Sequence, residues 1–128
     1  MNYLLDTHTF LWYINDDIQL SKKAVKRISD QDPIKYVSIA SLWEIAIKLN
    51  IGKIELDFPY SALIEHILIN GFELLPISFE HTLALTTLDV YHNDPFDRII
   101  IAQAITENLV VISKDKNFSK YSKLQLLW

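Results

Sequence analysis

The chain predicts an α/β fold, a mostly parallel sheet with helices on both faces. Short apolar runs, Tyr3–Leu5, Lys35–Val37, Phe72–Leu75, Leu109–Ile112 and Leu124–Leu127, alternate with longer helical stretches. No two runs are joined by a hairpin turn, so the chain crosses over between strands, and crossovers build parallel sheets buried on both sides. With 128 residues, half of them hydrophobic, the chain can bury one sizeable core, and residues 1–128 read as a single domain.

The elements follow in order. Tyr3–Leu5 is a buried strand ended by Asp6, and Asp6 or Thr7 caps a helix from Thr9 to Ile14. Ser21 caps a second helix to Ser29, with Ala24, Val25 and Ile28 on one face. Asp32-Pro33 breaks the chain before Lys35–Val37. Ser38 caps a helix from Ile39 to Leu49; its buried face should carry Ile39, Trp43 and Ala46, and Gly52 ends it. Pro59 opens a helix over Tyr60–Ile69, closed by Asn70-Gly71. Pro76 stops the strand Phe72–Leu75, and Phe79–Leu88 is helical. Asp94-Pro95 opens the helix that runs to Glu107, with proline at a first position where its missing N–H is harmless. In open sheets of this kind ligands bind beyond the carboxyl ends of the strands, where Asp6 and Asp115 both fall.

Several classes drop out. The absence of cysteine removes disulfides and thiolate metal sites. No apolar stretch reaches spanning length, and the N-terminus lacks the layout of a signal peptide, so a cytoplasmic protein without membrane contact is expected. With only Gly52 and Gly71 there is no phosphate-cradling loop, and no nucleophile elbow supports serine chemistry. His8, His66, His81 and His92 show no zinc-type pairing; structural or surface roles suit them, with His92 placed near Asp94. Trp12, Trp43 and Trp128 read as core or interface residues rather than base-stacking platforms. The net charge of −4 argues at first against nucleic acid. Four carboxylates change that reading: without them, acidic residues equal the 12 Lys and Arg in number. Lys48 with Lys53, and Lys114 with Lys116, Lys120 and Lys123, can hold phosphates locally.

Those four are Asp6, Glu44, Asp97 and Asp115, each beside or within an otherwise apolar segment. A carboxylate next to a core segment costs desolvation unless something compensates it, and a gathered set repels itself until a hard divalent cation neutralises it. Each residue also has a simpler reading. Asp6 can be a helix cap, and Glu44 can pair with Lys48 on an exposed helix face. Asp94 and Asp97 have the spacing of a capping box, and Asp115 suits a turn after a strand. Composition and spacing leave both readings open.

Four blocks, in order, carry a resemblance: L-L-D-T-H-T-F-L-W at Leu4–Trp12, S-L-W-E-I-A-I-K at Ser41–Lys48, D-P-F-D-R-I-I-I-A-Q-A at Asp94–Ala104, and V-V-I-S-K-D-K-N-F at Val110–Phe118. The chain resembles PIN-domain proteins over its whole length, and specifically the VapC-type toxins of bacterial toxin–antitoxin pairs. The resemblance implies five parallel strands in the order 3-2-1-4-5 with flanking helices. It implies a ribonuclease that uses Mg²⁺ or Mn²⁺, a cognate antitoxin protein as partner, and a homodimer. The family's acids fall on Asp6, Glu44, Asp97 and Asp115, and Asp94 falls on a position better read as a helix cap. Thr7 and Ser113 match positions that often carry a hydroxyl near the site, and Arg98 matches an arginine that makes a structural ion pair or a phosphate contact. Asn93 departs from the pattern, since relatives often carry a basic residue there.

The resemblance assigns hydrolysis of RNA phosphodiesters, with Asp6 and Asp97 as direct metal ligands. Glu44 holds or orients a water, and Asp115 acts directly or through water. A structure-specific DNA nuclease and a non-catalytic PIN module are the alternatives. A phosphoaspartate enzyme is disfavoured, because that class wants a second Asp where His8 stands. Leu11, Trp12, Ile45, Ile47, Ile51, Ile54 and Phe58 exceed what one small core needs and should form an exposed patch for a partner chain.

Overall fold

The computed structural model describes residues Met1–Trp128. Five strands form one parallel sheet: β1 (Tyr3–Leu5), β2 (Lys35–Ser38), β3 (Phe72–Leu75), β4 (Val110–Ile112) and β5 (Gln125–Leu127). Their order is β3-β2-β1-β4-β5, as expected. β1 lies at the centre, with Leu4 opposite both Tyr36 and Val111. Both central strands β1 and β4 are buried throughout, while the edge strand β5 is largely open. Alternation of side chains across the pleat divides the core in two. Tyr3, Leu5, Val37, Val110 and Ile112 pack on one face with Phe10, Ile28, Ile45 and Ile67. Leu4 and Val111 pack on the other with Ile99, Ile100, Ile101 and Phe118.

Six helices complete the fold: α1 (Thr7–Ile14), α2 (Lys22–Ser29), α3 (Ile39–Asn50), α4 (Leu63–Ile69), α5 (Phe79–Leu85) and α6 (Pro95–Glu107). Asp6, Ser21, Ser38, Ser78 and Asp94 cap α1, α2, α3, α5 and α6 with side-chain acceptors, which fixes where each begins. α6 is buried on all sides from Ile99 to Ala104, so its sequence shows almost no polar face. Inside it, Gln103 accepts from Ser38 Oγ at 2.6 Å and donates to the Pro76 carbonyl at 3.2 Å, tying α6 to the ends of two strands. Asn108 ends α6 in the left-handed conformation (φ 56°), which asparagine tolerates better than most residues.

Four expectations shift. The helix from Phe79 stops at Leu85 instead of Leu88, and that from Tyr60 begins as a 3-10 turn over Tyr60–Ala62. In α2, Val25 points outward while Ala24 and Ile28 are buried. In α3 the buried face is not the expected one: Ala40, Leu42, Glu44 and Ile45 turn inward, while Ile39 and Trp43 are exposed. α3 is apolar on several sides, so hydrophobicity alone does not choose its inner face. The apolar patch moves accordingly. Ile45 is core, and Leu11, Trp12, Ile54 and Phe58 pack partly against it. The exposed set is Trp43 and Ile47 on α3 and Ile51 just past its end, with Tyr60, Ile64 and Leu68 around α4.

Candidate active site

Chain direction brings four carboxylates to the carboxyl edge of the sheet. Asp6 and Asp115 follow β1 and β4. α3 starts at the end of β2 and carries Glu44 in its second turn. α6 feeds β4 from below, so its first turn, with Asp97, lies at the same edge.

Asp6 is almost fully buried, at 4% exposure. Its Oδ1 accepts the Thr9 backbone N–H at 2.8 Å, and its Oδ2 accepts the Ser113 hydroxyl at 2.5 Å. Burial raises its pKa above the ordinary 3.8; the Ser113 and Thr9 hydrogen bonds and the charge of His8 pull the other way and do not win. Thr9 Oγ1 donates to the Ile112 carbonyl at 3.0 Å, which clamps the start of α1 to the end of β4.

Glu44 is equally buried. Its Oε2 accepts from Lys48 Nζ at 2.7 Å, as the four-residue spacing foresees. Its Oε1 is the one buried side-chain polar atom in the molecule without a hydrogen-bond partner. Leaving a buried acceptor unsatisfied costs about 1–3 kcal/mol, more when it is charged.

Asp97 is held up to about 8, chiefly by burial and then by the like charges of Asp94, Asp115, Asp6 and Glu44. All four neighbours therefore lie within electrostatic reach of one carboxyl group. Its Oδ2 contacts His92 Nε2 at 3.3 Å. Asp115 is exposed and makes an Asx turn, its Oδ1 accepting the Asn117 N–H at 2.9 Å. Asp94 caps α6, with Oδ1 accepting the Phe96 and Asp97 N–H groups.

Asp6 and Asp115 share a cleft of about 260 Å³ with His8, Trp12 and Lys114. Lys114 Nζ stands 5.9 Å from the Trp12 ring, so this wall is aromatic and basic, and Trp12 is more than a core residue. Trp43, the residue before Glu44, packs edge-on against Phe96, the residue before Asp97, at 5.2 Å. No three acidic or histidine side chains converge closely enough to enclose a metal. Each carboxylate is held by its own tether. The donor set still fits a hard divalent ion. It is all oxygen, one oxygen is buried and unpartnered, and Mg²⁺ keeps several waters and needs only one or two direct carboxylates.

The remaining residues divide. Ser113 reaches Asp6, but Thr7 donates instead to Ser41 at 2.9 Å and braces α1 against α3. Arg98 makes no ion pair: Nη1 donates to the Asp89 carbonyl and Tyr121 Oη, and Nη2 to the Leu88 carbonyl. Thr9, Ser41 and Tyr121 support the site without having stood out in the sequence, and so does His92, which the sequence placed near Asp94. Ser41 and Tyr121 meet their partners across the fold, and the nearness of His92 to Asp94 was the local signal.

The PIN domain family model matches residues 3–124. No curated protein matches the chain in sequence. Among solved structures, the chain is similar to one in VapBC2 from Rickettsia felis bound to a DNA fragment from their promoter, with a TM-score of 0.74, 18% identity, and coverage of 99% of this chain and 98% of that one. It is similar to a chain of DNA-bound VapBC from Salmonella typhimurium, with a TM-score of 0.74, 16% identity, and coverage of 99% and 97%. VapBC-1 from nontypeable Haemophilus influenzae gives a TM-score of 0.70, 22% identity, and coverage of 99% and 97%. Strand order, the helices that fix it and the family match over nearly the whole length agree: the chain belongs to the PIN domain family.

Proposed function

We propose that this chain is a divalent-metal-dependent endoribonuclease, the toxin of a toxin–antitoxin pair. The observation that carries the metal site is Asp97, a carboxyl raised to about 8 by burial and by four carboxylates, one of which, Glu44, keeps a buried oxygen that nothing satisfies. The RNA substrate and the antitoxin rest on the family and on similarity to chains of VapBC complexes.

Asp6 and Asp97 are the direct ligands, held in place by Ser113, Thr9 and His92. Glu44 presents Oε1 as base or water-orienting group while Lys48 fixes Oε2. Asp115 reaches the same cleft as Asp6 and completes the set, directly or through water. Mg²⁺ or Mn²⁺ supplies Lewis acidity toward water and toward the scissile phosphate. Lys114 offers a positive charge for the phosphodiester backbone on the cleft wall.

The exposed stripe Trp43, Ile47 and Ile51, with Tyr60, Ile64 and Leu68, suits an apolar helix of an antitoxin, and a second copy of the chain covers further apolar surface such as Phe79 and Leu83. No helix is long and apolar enough to cross a membrane, and a cytoplasmic RNA is the substrate class we assign.

The test is cleavage of single-stranded RNA and DNA of the same sequence with Mg²⁺ or Mn²⁺. Metal-dependent cutting of RNA, stopped by a chelator and absent in Asp97→Asn, is expected. Cutting of DNA alone redirects the assignment to a DNA nuclease, and no cutting of either points to a binding module.

A further inference from the structure

A chain of hydrogen bonds leads from Arg98 through the core to Asp97. Arg98 Nη1 lies 2.9 Å from Tyr121 Oη, Tyr121 Oη lies 2.9 Å from His92 Nδ1, and His92 Nε2 lies 3.3 Å from Asp97 Oδ2. The donor inventory gives this chain a direction. A guanidinium can only donate, so it occupies a lone pair of the Tyr121 oxygen. The Tyr121 O–H is then free to donate, and the bare acceptor beside it is Nδ1 of a neutral His92. The ring proton of that tautomer sits on Nε2 and points at Asp97, which accepts once it is ionised.

The far end of the chain is anchored. Arg98 also donates to the carbonyls of Asp89 at 2.8 Å and Leu88 at 3.3 Å, the segment between α5 and α6. Tyr121 is buried at 4% exposure, and its ring is packed edge-on by Tyr91 at 5.0 Å and by His92 at 5.6 Å. The imidazole is thus held by ring packing and by a hydrogen bond on each nitrogen.

Resting on the metal-site reading above, we infer that His92 and Tyr121 are positioning residues. Arg98 fixes Tyr121, Tyr121 selects the Nε2–H tautomer of His92, and His92 holds Oδ2 of Asp97, which would leave the other oxygen available to a metal. This gives the arginine next to Asp97 a role that is neither an ion pair nor a phosphate contact. Partners that orient a metal ligand typically affect metal affinity by about ten- to a hundredfold.

The experiment uses the full chain and two readouts that do not depend on catalysis. The first is calorimetric titration with Mn²⁺. Tyr121→Phe keeps the packed ring and removes only the hydroxyl, and it should weaken Mn²⁺ binding about tenfold or more. The second is the ¹⁵N spectrum of His92 in Mg²⁺-loaded protein, assigned by loss of its signal in His92→Gln. The parent should show a protonated Nε2 and a bare Nδ1, and Tyr121→Phe should lose that preference. Unchanged Mn²⁺ affinity in folded Tyr121→Phe, or a parent protonated on Nδ1, overturns the positioning chain while leaving the metal site standing, provided Asp97→Asn still abolishes binding. A parent that binds no Mn²⁺ overturns both.

Discussion

The two edges of the sheet make an instructive pair. The amino edge has the larger cavity, about 560 Å³ against about 260 Å³ for the cleft at the carboxyl edge. It also holds a buried charge: Lys35, at 5% exposure, donates its ammonium to the Asp30 carbonyl. Its acids, Asp32 and Glu73, are exposed and face water. At the carboxyl edge the buried charges, Asp6 and Glu44, have the same sign, and Asp97 joins them. Lys48 is the one lysine or arginine paired with any of them. Volume therefore does not identify the site. The amino edge buries a single cation and the carboxyl edge gathers several acids, and only the second gains from a cation.

The largest effect should separate the two edges outright. Asp97→Asn preserves shape but removes a ligand charge, and RNA cleavage should fall by orders of magnitude. Lys35→Met at the amino edge should leave cleavage at the parent rate, because the Lys35 ammonium bonds the Asp30 carbonyl and none of the four carboxylates. Equal losses in both variants at matched folded concentration would erase the distinction.

pH dependence gives the next largest effect. Asp97 titrates at about 8 in the metal-free fold against 3.8 as the ordinary value, and Asp6 is shifted in the same direction. A carboxyl raised in the folded state adds stability below its unfolded pKa and loses it as pH climbs toward the folded one. Thermal melts of metal-free protein should therefore decline from about pH 4 to about pH 8 through Asp97, with Asp6 acting in the same direction. Metal needs Asp97 ionised, so Mn²⁺ affinity should rise over the same interval, with a proton released on binding. A Mn²⁺ affinity that is flat across that interval would mean that Asp97 is not a ligand.

Smaller effects probe the apolar stripe. Ile51→Asp, more than half exposed, should leave folding nearly unchanged. It should weaken binding of the antitoxin helix proposed for this stripe, measured by titration of a purified candidate antitoxin. Undiminished binding would move the partner elsewhere.

Most of the fold was legible because its punctuation is local. Ser21, Ser38 and Asp94 cap helices where the sequence places them, and Pro76 stops β3. Strand order came from resemblance, since no residue pattern fixes which parallel strands are neighbours. The burial of Glu44 was hidden by the apolar residues around α3: Ile39 and Trp43 read as the buried face but are exposed. The tethers of the acids were invisible for a different reason. Ser113 lies 107 residues from Asp6, and Tyr121 lies 29 from His92, so only the folded chain joins them.

The most direct measurement is a set of paired thermal melts of the parent and Asp6→Asn, with and without Mn²⁺. Asn keeps the cap acceptor to Thr9 and removes the like charge. Metal-free Asp6→Asn should be as stable as the parent or more so, by about 1 kcal/mol. Mn²⁺ should raise the melting temperature of the parent, as any ligand confined to the folded state does, and should raise the variant far less. A destabilised variant together with a parent indifferent to Mn²⁺ would contradict a carboxylate metal site at this edge.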